Sequence, residues 1–106
     1  MMTEDRVLCR NPDPGKQGTR IPRWKYELVS DAIFSALSKR PDGFPFRDLP
    51  TYVRSCLTRD DAENLGSVSW HTTVVKLDLE ARGRIERIPD SKLQLLRVAG
   101  DQEFAS

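Results

Sequence analysis

The sequence predicts an α+β domain, mainly α-helical, in which three helices are followed by a C-terminal β-hairpin. Apolar residues recur every three or four positions over three separate stretches, a pattern typical of amphipathic helices. Two β-prone runs then flank a short polar turn, as they do in a hairpin. A chain of 106 residues can close one hydrophobic core. We therefore expect one domain over residues 21–98.

The first helix is predicted over residues 24–38, where apolar side chains form one stripe at helical spacing. The sequence Pro41-Asp42-Gly43 ends it, because proline and glycine together break a helix. The short run 44–46 that follows has the composition of an extended turn or strand.

The second helix is predicted over residues 49–57, with Asp48 as its N-cap. The polar and acidic segment 58–66 is expected to be a loop or one loose turn. The third helix is predicted over residues 68–82, and Gly83 ends it because glycine accepts the left-handed backbone of a helix C-terminus.

The hairpin is predicted from runs 84–88 and 93–98, joined by the polar turn 89–92. Residues 1–20 show no hydrophobic period and are expected to form a flexible basic arm. For the same reason residues 99–106 are expected to be a disordered tail.

Composition argues against several classes of protein. No stretch is long and apolar enough for a membrane span, and no signal-peptide pattern is present, so we expect a cytoplasmic protein without a membrane partner.

Cys9 is expected to be exposed in the polar leader and Cys56 to be buried. With His71 as the single histidine, we expect a structural role for it, no metal, no cofactor and no catalytic site.

The charge distribution is more informative than the net charge of +1. Residues 1–25 carry an excess of three positive charges, and residues 67–98 carry an excess of two. Two local basic regions therefore coexist with a nearly neutral whole, and such regions favour contact with a polyanion.

The order helix, short strand, helix, longer helix and hairpin resembles the winged helix-turn-helix family, in which the hairpin is the wing. In bacterial regulators of that family a Leu-Glu-x-x-Gly-x-Ile-x-Arg pattern leads from the recognition helix into the wing. Leu79, Glu80, Gly83, Ile85 and Arg87 match this pattern. The chain also resembles a group of small uncharacterised bacterial proteins over residues 11–98. The resemblance implies double-stranded DNA as the partner.

A helical projection gives the third helix two apolar faces and one polar arc. Val75 and Leu79 are expected to face the core. Ile85 is expected to fill the core beneath the corner between the helix and the hairpin. The polar arc and the wing, together with the basic arm, supply the candidate DNA-binding residues, which are Ser69, Thr72, Thr73, Lys76, Arg84, Arg87, Lys92 and Arg20. Hydroxyls and cations of this kind contact phosphates or base edges. An ordinary solvated helix face explains the same arc.

The second apolar face, with Trp70, Val74 and Leu77, must pack on something else. The first helix, the N-terminal arm and a second subunit are the alternatives. This face supports a second hypothesis, in which the domain is a protein-interaction or dimerisation module that does not bind DNA.

Overall fold

A computed structural model describes residues 5–100 of the chain. About half of these residues are helical, and the rest include two small sheets. The predicted helices are present as α1, α2 and α4, each ending within one residue of its expected bounds. The elements in order are β1 (Arg6–Cys9), β2 (Thr19–Pro22), α1 (Arg23–Lys39), β3 (Phe44–Pro45), α2 (Leu49–Cys56), α3 (Arg59–Leu65), α4 (Val68–Ala81), β4 (Ile85–Arg87) and β5 (Leu95–Val98).

The predicted C-terminal hairpin is confirmed, and it belongs to a three-stranded antiparallel sheet of order β3-β5-β4. Glu86 lies directly opposite Arg97, and their side chains form an ion pair of 2.6 Å. Asp90 adopts a φ of 63° in the connecting turn, a left-handed conformation that aspartate tolerates better than most residues. The short strand β3, which covers the first two residues of the run 44–46, joins the same sheet.

The segment 58–66, expected to be a loop, contains the additional helix α3. The Thr58 hydroxyl accepts a hydrogen bond from the Asp61 N–H at 3.0 Å, which caps the helix. Asp60 and Asp61 lie in its first turn, where carboxylates interact favourably with the helix dipole. Leu65 at the other end is fully buried, so the short helix has one firm anchor in the core.

The expectation that residues 1–20 form a flexible arm is wrong for the part that the structure describes. Strands β1 and β2 pair in antiparallel register to form an N-terminal hairpin. Its inward-facing side chains, Val7, Cys9 and Ile21, belong to the main hydrophobic core. Each strand has only four residues, and a period of two cannot be recognised reliably over so short a run. Residues 1–4 and 101–106, to which the arm and tail predictions also refer, lie outside the described residues.

Three further expectations are wrong. Asp48 has helical dihedral angles and makes no side-chain cap, because a 3₁₀ turn over Phe46–Asp48 runs directly into α2. Cys9 is buried because it faces inward in the hairpin, whereas Cys56 is exposed. The chain becomes extended at Leu57, and the side chain of Leu57 packs against the core at the end of α2.

The expected core positions of α4 are confirmed. Val75 and Leu79 are fully buried, and Ile85 is buried at the start of the hairpin. Gly83 between them has a φ of 73°, in the region that favours glycine. No helix within residues 5–100 combines the length and the apolar character needed to cross a membrane.

We expect Ile21→Ala to lower the free energy of unfolding by about 2–4 kcal/mol, because it opens a cavity where β2 meets the core. Arg20→Ala, on the exposed face of the same strand, should change it by less than about 0.5 kcal/mol. Urea denaturation followed by circular dichroism measures both. Equal, small effects would mean that residues 6–22 do not belong to the cooperative fold.

Candidate functional site

Part of the polar arc of α4 is buried, so the prediction of DNA contact is wrong for two of its residues. Thr72 is fully buried and Lys76 is only 4% exposed. The Lys76 Nζ lies 3.0 Å from the Glu80 carboxylate and 4.7 Å from the centroid of the Phe46 ring. Phe46 belongs to the 3₁₀ turn before α2 and lies beside the Lys76 ammonium group. Because Thr72 and Lys76 are both buried, neither side chain is accessible to DNA.

The other six candidates remain at the surface, but on different elements. Arg84 lies with its guanidinium 5.2 Å from the centroid of the Phe34 ring. Arg87 and Lys92 belong to the C-terminal hairpin and its turn, and Arg20 belongs to the N-terminal hairpin. Within residues 5–100 no carboxylate forms a salt bridge with any of these four cations. The exposed candidates are Arg20, Ser69, Arg84, Arg87 and Lys92, and Thr73 is half-buried.

The second apolar face of α4 is only partly covered. Val74 packs against the core, and Leu77 is half-buried. Trp70 is 47% exposed, and Trp24 at the start of α1 is 45% exposed. Lys25 lies 5.6 Å from the Trp24 ring and donates a hydrogen bond to the Leu65 carbonyl just before α4. We call Trp24 and Trp70 the exposed tryptophans.

His71 lies in the first turn of α4. It is buried, its Nδ1 lies 2.8 Å from the Ser67 carbonyl oxygen, and its ring meets Trp70 edge-on at 4.8 Å between centroids. Burial lowers its pKa below the usual value, and nearby Lys25 acts in the same direction. Within residues 5–100 no three His, Cys, Asp or Glu side chains come together as a metal-binding group.

A buried carboxylate organises the other end of α4. Asp78 is fully buried, and it accepts hydrogen bonds from the Tyr26 hydroxyl at 2.5 Å and from the Arg10 backbone N–H at 2.8 Å. The Arg82 Nε lies 2.9 and 2.8 Å from the two carboxylate oxygens. We call Asp78 with these three donors the Asp78 network. It connects α4 with α1 and with the end of β1.

Arg82 extends the network to the N-terminal hairpin, since its terminal nitrogen donates a hydrogen bond of 3.1 Å to the Leu8 carbonyl. Burial and the hydrogen bond to Asp78 raise the pKa of Tyr26 to about 12. Burial, with the nearby Asp78 carboxylate, raises the pKa of the Cys9 thiol to about 11. Both groups therefore keep their protons at neutral pH, and Arg82 supplies the positive charge that balances Asp78.

A cleft of about 330 Å³ opens beside the Asp78 network. Arg23 on its rim forms an exposed ion pair of 2.6 Å with Asp5. Tyr26 of α1 and Val7 and Leu8 of β1 also line the cleft. We call this space the arginine cleft, because its four charged lining residues are Arg6, Arg23, Arg82 and Arg84.

Sequence reasoning missed the arginine cleft and the long-range half of the Asp78 network. The spacing of Asp78 and Arg82 is that of an i,i+4 ion pair, so this half of the network was visible. The other half depends on Tyr26 and Arg10, which lie 52 and 68 residues away in the chain. No local pattern indicates such distant partners.

A protein-family model matches residues 6–95 of the chain, and its description is a family of unknown function, DUF6958. The matched range begins with β1 and reaches the first residue of β5, so it includes the N-terminal hairpin and all four described helices. No curated protein and no solved structure matches the chain.

We expect Asp78→Asn to lower the free energy of unfolding by about 3 kcal/mol, because it removes the charge that compensates Arg82 and mispairs the remaining donors. Asp31→Asn on the exposed side of α1 is the matched control and should have an effect of less than about 0.5 kcal/mol. Chemical denaturation at pH 7 measures both. A loss below about 1 kcal/mol for Asp78→Asn would contradict a central role for the network.

Proposed function

We propose a DNA-binding role for this chain, which belongs to the family of unknown function DUF6958. In this proposal the region from α1 to β5 is a winged helix-turn-helix domain, with α4 as its recognition helix and the β4–β5 hairpin as its wing. The order of elements supports it, since helix, strand, helices and hairpin follow one another as in that fold. The additional helix α3 lies between the two helices of the motif.

The main support for DNA binding is the pair of exposed cations on the wing. Arg87 at the end of β4 and Lys92 in the turn are both exposed, and within residues 5–100 neither has a salt-bridge partner. The Glu86 carboxylate, which would otherwise weaken their field, is paired with Arg97. Exposed cations on a hairpin are suited to contact with backbone phosphates.

The buried polar arc restricts how DNA would be recognised. With Thr72 and Lys76 inaccessible, α4 offers Ser69 and Thr73 to a groove. Hydroxyl groups contact either phosphates or several kinds of base edge. The domain would therefore hold duplex DNA mainly by its backbone, with weak preference among sequences.

The exposed tryptophans favour a second candidate function, binding of a protein partner. Each of the two tryptophans leaves nearly half of its surface exposed, and aromatic residues of this kind are enriched at protein interfaces. This function depends on apolar surface area, whereas DNA binding depends on positive charge. Experiments can therefore separate the two candidate functions.

The test of DNA binding is a fluorescence anisotropy titration of a labelled random-sequence duplex over a range of salt concentrations. We expect Arg87→Ala/Lys92→Ala to weaken binding about ten-fold at low salt and to reduce the slope of log K against log salt by about two, because two phosphate contacts are lost. Arg54→Ala/Arg59→Ala removes the same charge from exposed positions elsewhere and should leave the slope unchanged.

Two results would contradict the proposal. One is the absence of binding by the unmodified protein at low salt. The other is an equal loss in the two double variants, which would reduce the effect to net charge. Sedimentation equilibrium of the unmodified protein and of Trp70→Ser then tests the second candidate for self-association, which requires an assembly that Trp70→Ser dissociates.

A further inference from the structure

We propose that α4 recognises thymine methyl groups in the major groove of duplex DNA. This preference rests on the DNA-binding role proposed above, and it names the base contact by which the helix would select among sequences. Its basis is the side of α4 that faces solvent, where only one side chain is charged.

The residues of α4 that are not buried lie along one side of the helix. The helix has 14 residues, and seven of them are buried. At 100° per residue the other seven fall within one arc of about 140°. We call this arc the solvent stripe. Its members are Ser69, Trp70, Thr73, Val74, Leu77, Glu80 and Ala81.

The solvent stripe is mainly apolar. Its one charged residue is Glu80, whose carboxylate lies 3.0 Å from the Lys76 ammonium group. The Glu80 side chain is only 10% exposed, so its charge is both compensated and largely covered. A duplex lying on the stripe would therefore meet methyl groups, one indole ring and two hydroxyls.

The major groove has one apolar group that matches such a surface. Among the four bases of DNA only thymine presents a methyl group at this edge, and the side chains of alanine and threonine are known contacts for it. Covering the polar groups of the other base edges costs free energy, because their hydrogen bonds to water are lost without replacement. Covering a methyl group is favourable. Contact with the solvent stripe therefore favours thymine.

Cations lie near both ends of α4. Lys25 donates its hydrogen bond to the Leu65 carbonyl, just before the N-cap Ser67. Arg87 of the wing lines the same cleft as Glu80 in the last turn of the helix. Within residues 5–100 no carboxylate forms a salt bridge with Lys25 or Arg87. Base edges likewise lie between two charged phosphate backbones, so the charges of the helix and the groove are complementary.

The same cations disfavour a second copy of the chain on the solvent stripe. A symmetric contact places the same patch of each copy against the other. Whether two α4 helices run parallel or antiparallel, each positively charged end then meets another. Like charges repel, whereas phosphates are attracted to both ends.

Thr73 allows the methyl contact to be tested alone. It lies in the middle of the solvent stripe and is half-buried, and its side chain carries both a methyl group and a hydroxyl. Thr73→Ser removes the methyl group and keeps the hydroxyl. The variant therefore separates recognition of thymine from the hydrogen bonds that the hydroxyl makes to phosphates or base edges.

The test compares an A·T-rich duplex with the same duplex in which deoxyuridine, which lacks the methyl group, replaces thymidine. Fluorescence anisotropy titrations give the ratio of the two affinities. We expect the unmodified protein to bind the thymine duplex at least about four-fold more tightly, the effect of burying one methyl group. Thr73→Ser should lower this ratio about two-fold or more. Thr51→Ser, at an exposed position of α2, is the matched control and should leave the ratio unchanged.

Equal affinity of the unmodified protein for the two duplexes would overturn the proposal, and so would a ratio that Thr73→Ser leaves unchanged. Either result is compatible with DNA binding by the wing, which the salt dependence of Arg87→Ala/Lys92→Ala tests separately. Absence of binding to both duplexes at low salt contradicts the DNA-binding role and the thymine preference together. A dimer that Trp70→Ser dissociates would place a second copy on the solvent stripe and would also overturn the preference.

Discussion

The rest of the structure depends most on the ion pair and the hydrogen bonds of the buried Asp78 carboxylate. A fully buried carboxylate is costly unless it is paired and hydrogen-bonded, and Asp78 achieves both with Arg82, Tyr26 and the Arg10 backbone N–H. Each partner comes from a different part of the chain. Satisfying one charge therefore fixes the start of α1, the end of α4 and the end of β1 relative to one another.

The same requirement shapes the surface. Because Arg82 is held between Asp78 and the Leu8 carbonyl, the N-terminal hairpin lies against the end of α4, and Arg6, Arg23 and Arg84 line the same cleft. The arginine cleft is thus a consequence of how the buried charge is compensated. The wing is built by a different mechanism, the pairing of β4 with β5 and the left-handed turn at Gly83.

The features that were predictable from the sequence are local. The apolar stripes of α1 and α4, the glycine at the end of α4 and the hairpin after it are each encoded within a few consecutive residues. The N-terminal hairpin was missed because its strands are too short to show a period. Lys76 was misjudged because a helical projection gives the direction of a side chain but not the neighbouring element that covers it. Its aliphatic stem is covered and its ammonium group is paired with Glu80 beside an aromatic ring.

Amide hydrogen exchange of the unmodified protein, measured by NMR, tests most directly whether the Asp78 network joins the N-terminal hairpin to the domain. The Arg10 N–H lies outside the paired residues of β1, so a hydrogen bond to Asp78 is its source of protection. The account predicts that this amide exchanges with a protection similar to that of buried amides in α1 and α4, because they open in one cooperative unit. Exchange of the Arg10 amide at the rate of an unstructured peptide, with α1 and α4 protected, would contradict it.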